Sequence, residues 1–475
     1  MARISFLTSA YTSILNANSE LARRLQAAGH DIVYASPYPI ERAIADRGLA
    51  FQQLSTPIAA RGYAYGQLEQ PADITASSKG SGRLGRVPRK LVGWLAKFTT
   101  VRQRRQAAIQ SLGLAQIRDE LAALSADLLL IDIELAEHVI AARSLGIPVA
   151  LTSTWISVWK RPGLPPLHDT TLPESSHRGH QLQLEWRWWT FRWQQWSQRQ
   201  RQRLRAVGCD RVSILETYAK AVGVSFWTDI DLYQWLLPFS YRTLPILSLN
   251  AFEFDFPHDP PPQAYYLGPM VGLDREATLT ESDRATRQSL ERIIANHRTN
   301  PESQALLYCA FGTFSGSYDS ALLKRIIEAI ARNPQWTLIL SLGGRGDPQR
   351  LGQLPANAHA FDRVPQLFVL EQVDAAIVHA GIATISECIH FGVPMLAYSV
   401  EVTDQNGNAA RVAGGGFGIR GDRDGDDAAT IQRHLQTLLA SPSIRENLHH
   451  MQAHFRRYTS ENTAVKTVES LLPNR

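Results

Sequence analysis

Apolar and polar positions alternate with two different periods along the first 150 residues. An apolar run over residues 4–8 predicts a strand. Apolar positions recurring every three or four residues over about 14–28 predict a helix that Gly29 ends, and residues 31–35 predict a second strand. This is a β-α-β unit. Further on, "ADLLLIDI" is apolar at nearly every position, as a strand covered on both faces of a parallel sheet must be; a helix from about Leu135 and the strand-like "IPVALTS" follow. The same alternation returns after Pro301. It runs through "ALLYCAFGT", a helix over 321–333, "WTLILSLGG", "AHAFDRV", "AAIVHA", a helix over 384–391 and "PMLAYS". Between the halves lie a proline-rich stretch, "FEFDFPHDPPPQAYYLGPM", and a charged helical stretch to about His297, and residues 443–472 read as a terminal helix. The class expected is α/β with two parallel-sheet domains: residues 1–267, a linker over 268–300, and residues 301–475. A chain of 475 residues also exceeds what one core usually holds.

Composition changes this picture little, since 44% apolar and 20% charged residues are ordinary for a globular protein. Three scattered cysteines, Cys209, Cys309 and Cys388, form neither a zinc pattern nor a disulfide framework and suit a reducing compartment. The start lacks the features of a signal peptide and no window of 18 apolar residues occurs, so the expected location is the cytoplasm. Charge is more informative. Residues 1–250 carry 29 Lys/Arg against 19 Asp/Glu, whereas residues 251–475 carry 20 against 25. The two halves are expected to meet different partners, or one of them an anionic surface.

The densest chemistry lies in "VHAGIATISECIHFGVPMLAYSVEVTDQNGNAARV", residues 378–412. A helix opening directly after a buried strand presents free N–H groups and the positive end of its dipole, which together form a phosphate site. Gly381 is expected to make the tight turn, Thr384 to open the helix, and His379, at the strand tip, to donate to the same phosphate. Glu387 has two readings: it closes a capping box with Thr384, or its carboxylate accepts bonds from a ribose diol.

This stretch, with "VPQLFVL" before it, resembles the donor-binding signature of the family 1 nucleotide-sugar glycosyltransferases, the UDP-glycosyltransferase superfamily with the GT-B fold. The resemblance implies two Rossmann-like domains facing a central cleft. It places Val364 and Gln366 at the uracil, His379 and Thr384 at the diphosphate, Glu387 at the ribose, and Asp404 and Gln405 at the sugar hydroxyls. "YCAFGT" is similar to the phosphate-touching loop of the family, which adds Gly312 and Thr313. Ile382 and Ala383 stand where some members have Trp and Asn.

One departure concerns catalysis. In this family a histidine at the start of the first helix takes the proton of the acceptor hydroxyl, steadied by an aspartate, and the histidine position falls at Ile14, which cannot take a proton. Asp132, in "LLLIDIE", matches the aspartate and is the leading base candidate, with Glu134 next and His138 as a weaker substitute. The alternative for Asp132 is a strand-end cap. Tyr11, Thr12, Ser13 and Asn16 line the loop where an acceptor would be oriented. The "DID" triplet, Asp229 and Asp231, resembles the metal motif of another transferase fold without its surroundings, so neither metal nor cofactor is expected. The nucleotide sugar is a substrate.

Two basic aromatic stretches, about 79–105 and 182–205, interrupt the first half. The second places Trp186, Trp189, Trp193 and Trp196 at helical spacing among arginines; the first joins Leu91, Trp94, Leu95 and Phe98 to eight Lys/Arg between Arg83 and Arg105. Such helices suit an anionic bilayer surface, which adds peripheral attachment to the inner face of a membrane to the expectation; the alternative is that the apolar face packs on the domain. No motif for nucleic acid accompanies the charge. The expected function is inverting, metal-independent transfer of a hexose from a nucleotide sugar such as UDP-glucose to a hydroxyl of a lipid, carotenoid or sterol-like acceptor. The alternatives are a soluble polyketide or macrolide glycosyltransferase and a catalytically silent nucleotide-sugar binder.

Overall fold

The computed structural model describes residues 1–54, 101–173, 178–230, 241–276, 281–312, 319–344, 348–400 and 404–473. The first sheet comprises β1 (Arg3–Leu7), β2 (Asp31–Ser36), β3 (Ala50–Gln53), β4 (Leu128–Asp132), β5 (Val149–Ser153), β6 (Ile246–Ser248) and β7 (Ala264–Tyr266), in the order β3-β2-β1-β4-β5-β6-β7. The second comprises β8 (Ala305–Ala310), β9 (Trp336–Ser341), β10 (Ala358–Phe361), β11 (Ala375–Val378), β12 (Met395–Ala397) and β13 (Gly418–Arg420), in the order β10-β9-β8-β11-β12-β13. Every pairing within them is parallel. The strand order reverses between β1 and β4 and between β8 and β11. Crevices outside the carboxyl ends of open parallel sheets, at such reversals, are where ligands of these folds bind.

The local reasons are those the pattern indicates. All five residues of β4 and all four of β11 are buried, as strands with helices on both faces must be. The first helix runs over Thr12–Ala27, two residues earlier than its apolar period begins, and buries Leu15, Leu21, Ala22 and Leu25 against the sheet. The helix Glu281–Thr299 occupies much of the expected linker, and β13 with the helix Ala428–Ala440 were not anticipated.

The terminal helix is two helices. Pro442–Ser460 and Thr463–Ser470 are separated at Asn462, whose φ of +54° is left-handed backbone that Asn tolerates better than most residues. The break turns the chain back to the first sheet. Ala464, Val465 and Val468 share an apolar cluster with Ile4, Leu21 and Leu25, and His30 Nε2 lies 3.1 Å from Glu469 Oε1.

A buried ion pair joins the halves a second time. Arg411, on the helix Gln405–Gly414, donates through Nε to Asp255 Oδ1 at 2.7 Å, and its guanidinium lies 4.6 Å from the centre of the Phe256 ring. On the same helix, a Cβ at Gly407 would lie 1.6 Å from the Leu167 carbonyl oxygen, so the two backbones approach as closely as glycine allows.

Candidate active site

β11 delivers the chain to His379, and the helix Ile382–Phe391 begins three residues later. Two expectations need correction here. The helix opens at Ile382, not Thr384, with Gly381 as its N-cap; and the residue in left-handed backbone is Ala380, with a φ of +60°, while Gly381 has an ordinary φ of −69°. Ala380 is fully buried and its carbonyl accepts a bond from Asn408 Nδ2 at 3.1 Å, so surrounding structure holds a conformation that costs a non-glycine residue energy. Gly381 is required for space instead. A Cβ there would lie 2.5 Å from His379 Nε2, and one at Gly312, whose φ is +69°, would lie 2.6 Å from His379 Cε1. Two glycine backbones thus flank the imidazole.

His379 is 9% exposed, and burial holds its pKa at about 4 against the opposing pull of a hydrogen bond with the Ala310 backbone. The ring is therefore neutral near pH 7 and able to donate one N–H. Its Nδ1 has no hydrogen-bond partner among the described residues.

The helix start also settles the local geometry of Glu387. Thr384 is the third helical residue, not the cap, so the capping box does not form. Glu387 is 3% exposed and its Oε2 accepts a hydrogen bond from Gln366 Nε2, while Tyr308 Oη donates to Gln366 Oε1 at 3.1 Å. Burial pushes the Tyr308 hydroxyl well above its ordinary pKa, so it remains a neutral donor. A strand of the second sheet, the first residue of the helix Gln366–Leu370 and the helix after β11 thereby meet in one polar chain.

The remaining donor candidates are spread along the same edge. Val364 is partly buried beside Gln366, and Thr384 is buried. Asp404, the residue before the helix Gln405–Gly414, accepts from Asn408 Nδ2 at 2.8 Å, and Gln405 Oε1 accepts from the Val400 amide at 3.2 Å. Thr313 lies outside the described residues.

A cleft lies between the two sheets. Ile382, Ala383, Ser386 and Glu387 form one wall, and Ser13, Asn16, Thr154, Leu249, Asn250 and Met270 are among those facing them. Thr154 follows β5, Leu249 follows β6, and the opposite wall follows β11, so the carboxyl ends of both sheets open into one space. Ser13 and Asn16 were anticipated from sequence; Thr154, Leu249, Asn250 and Met270 were not, because no local motif marks them. Asn16 also accepts a bond from Arg47 at 2.7 Å.

Tyr11 caps the first helix, and Tyr11 and Thr12 are exposed without lining the cleft. Asp132, at the carboxyl tip of β4 and 3% exposed, accepts bonds from the amides of Ser9 at 3.4 Å and Glu134 at 3.1 Å. Glu134 Oε1 accepts from Trp155 Nε1 at 3.2 Å. Neither carboxylate is part of the cleft wall. Ile14 is 5% exposed. His138 is buried with neither ring nitrogen bonded among the described residues, and burial lowers its pKa. Asp229 is engaged by Arg143 at 3.1 Å and Thr243 at 2.8 Å, while Asp231 lies outside the described residues.

Comparison with known proteins agrees with this architecture. Residues 336–471 match the family model described as erythromycin biosynthesis protein CIII-like, C-terminal domain. The chain is 30% identical over 155 residues to the oleandomycin glycosyltransferase of Streptomyces antibioticus, a match covering 33% of this chain and 36% of that one. It is 22% identical over 479 residues to the zeaxanthin glucosyltransferase of Pantoea ananas, covering 99% and 96%. The chain thus spans about a third of the first relative and nearly all of the second. Its fold is that of the solved glycosyltransferase of kitacinnamycin, with a TM-score of 0.65, 19% identity and 99% of each chain covered. The chain therefore has the GT-B fold of the solved bacterial glycosyltransferases it resembles, and its residues 336–471 are similar to the EryCIII-like C-terminal domain.

Proposed function

We propose that this protein transfers a hexose from a nucleoside diphosphate sugar, UDP-glucose or a close relative, to a hydroxyl of an apolar small molecule. The observation that carries the reading is the cleft itself: the first turn of the helix Ile382–Phe391 and Glu387, which Gln366 holds from behind, on one side, and a largely apolar wall with Leu249 and Met270 on the other, with His379 at the tip of β11 beside the helix start. Amide groups at a helix start and a neutral imidazole suit a diphosphate, the buried carboxylate suits a ribose diol, and the apolar wall suits a carotenoid or polyketide-like acceptor. The names of the relatives, a zeaxanthin glucosyltransferase and an oleandomycin glycosyltransferase, support acceptors of that kind.

In this reading the acceptor oxygen attacks the anomeric carbon from the side opposite the diphosphate, and the bond from that carbon to the phosphate oxygen breaks, with inversion. The nucleoside diphosphate leaves with the electron pair, its charge met by the helix amides and the His379 N–H. The acceptor proton passes to Asp132. Support for that assignment is its place at the tip of β4, beside the β1 loop that leads to Ser13 and Asn16.

Turnover is the test. Incubation with UDP-glucose is expected to release UDP at a rate that rises severalfold on adding a hydroxylated carotenoid or macrolide aglycone, and Asp132→Asn to remove the rise while UDP still binds. UDP binding without release for any acceptor would replace this reading by a silent nucleotide-sugar binder, which Ile14 at the helix start favours.

A pH dependence follows from His379. Its pKa of about 4 in the free protein must rise when a diphosphate lies against the ring, so donor binding takes up protons. UDP-glucose affinity is expected to strengthen as pH falls from 8 toward 5 in titration calorimetry. His379→Gln should flatten that slope; an unchanged slope in the variant would remove the ring from the site. Folding has the opposite sign. The unfolded ring binds a proton near pH 6.5 and the buried one only near 4, so this group's contribution to stability is present above 6.5 and declines as pH falls toward 4.

A further inference from the structure

The helix Arg178–Arg205 has two apolar faces, and only one of them is covered. Leu184, Trp188 and Phe191 are 3–5% exposed, and Trp188 Nε1 donates to the Leu164 carbonyl at 2.7 Å. On the opposite side Leu182, Trp186, Trp189, Trp193, Trp196 and Leu204 are 52–71% exposed and fall within one stripe at helical spacing. At about 1.5 Å per residue this stripe is about 33 Å long. Exposed apolar surface of this extent marks an interaction site.

The geometry points to the headgroup layer of an anionic lipid bilayer as its occupant, with the helix lying flat in the interface. The first observation is the arrangement of the indoles. Trp186 stacks on Trp189 with centroids 5.0 Å apart, Trp189 on Trp193 at 6.2 Å, and Trp193 on Trp196 at 5.2 Å, with interplanar angles of 22°, 9° and 29°. The facing π surfaces cover one another, so the ladder is poorly suited to stacking the bases of a nucleic acid. A row of indoles, each with an apolar body and one N–H, is the composition favoured at the membrane–water boundary.

The second observation is charge. Residues 178–205 contain seven arginines and one acid, Glu185, which is paired with Lys160. By helical spacing Arg187, Arg201 and Arg205 flank the stripe on one side, and Arg192 and Arg203 on the other. Cations beside an interfacial apolar face complement the negative surface potential of an anionic leaflet. The helix does not cross the bilayer: among the described residues no helix is long and apolar enough to span one. The inference stands apart from catalysis, since the stripe shares no residue with the cleft.

Vesicle sedimentation with the full chain tests it. The protein is expected to pellet with vesicles of phosphatidylcholine mixed with phosphatidylglycerol, less with phosphatidylcholine alone, and less again at high salt. Replacing Trp186, Trp189, Trp193 and Trp196 by Ser should weaken binding at least about tenfold, and replacing Arg187, Arg201 and Arg205 by Gln should weaken anionic binding by a similar factor. UDP affinity serves as the folding control, and the arginine variant decides the matter if the tryptophan variant fails it. Failure to bind either vesicle, or equal binding by a folded variant, overturns the inference. A wild-type dimer that the tryptophan variant dissolves, without lipid binding, assigns the stripe to a second copy of the chain instead.

Discussion

Glu387→Ala is expected to weaken UDP-glucose binding by about 10- to 100-fold, corresponding to the roughly 1.5–3 kcal/mol of hydrogen bonds to a charged group. The carboxylate is 3% exposed, lies on the wall of the cleft, and is oriented by Gln366, itself bonded to Tyr308. A ribose diol would meet an acceptor already aimed, so the loss should appear in KM for the donor and leave KM for the acceptor little changed. Truncation also strips Gln366 Nε2 of a partner. Glu387→Gln separates the two effects, because the amide oxygen keeps that bond and the volume while the charge is lost. Calorimetry with UDP-glucose and a melting curve for each variant make the distinction. Donor affinity that survives in Glu387→Ala with an unchanged melting temperature would show that this carboxylate is structural.

The second large effect is on stability. Arg411→Met is expected to destabilise the protein by about 3–5 kcal/mol, because it leaves Asp255 buried without its cation. Asp255 and Arg411 are both fully buried at their side chains, and Asp255 also accepts from Ser157 Oγ at 2.5 Å. The pair bridges segments of the two halves, so its loss should appear as a melting temperature lowered by several degrees and as easier proteolysis between them. Adding Asp255→Asn to the same chain should restore part of the loss, since the uncompensated charge goes with it. A melting temperature within a degree of the parent for Arg411→Met would rule out this account. The same helix opens at Gln405 and is preceded by Asp404, the residues proposed for the sugar hydroxyls, so reduced donor affinity is expected alongside.

Much of the architecture was legible in the residue pattern because it is local. Continuous apolar runs give strands buried on both faces and the three-to-four period gives the helices over them, so the parallel α/β class and most strands follow from neighbours in sequence. The helix that follows β11 was legible for the same reason. Its details were not: Ala380 rather than Gly381 takes the left-handed conformation, because Asn408 and the buried surroundings hold it there, while Gly381 makes room for the His379 ring.

What only the tertiary structure decided depends on residues far apart in the chain. Glu387 meets Gln366 and Tyr308 across three elements, and Thr154, Asn250 and Met270 enter the cleft from loops that bear no motif. A single helical pattern over 443–472 hides the break at Asn462, where one left-handed residue sends the last helix back to the first sheet. The helix Arg178–Arg205 makes the point most simply. Periodicity shows that apolar residues share faces, but which face is covered depends on what packs against it, and here Trp188 and Phe191 are inside while four tryptophans face solvent.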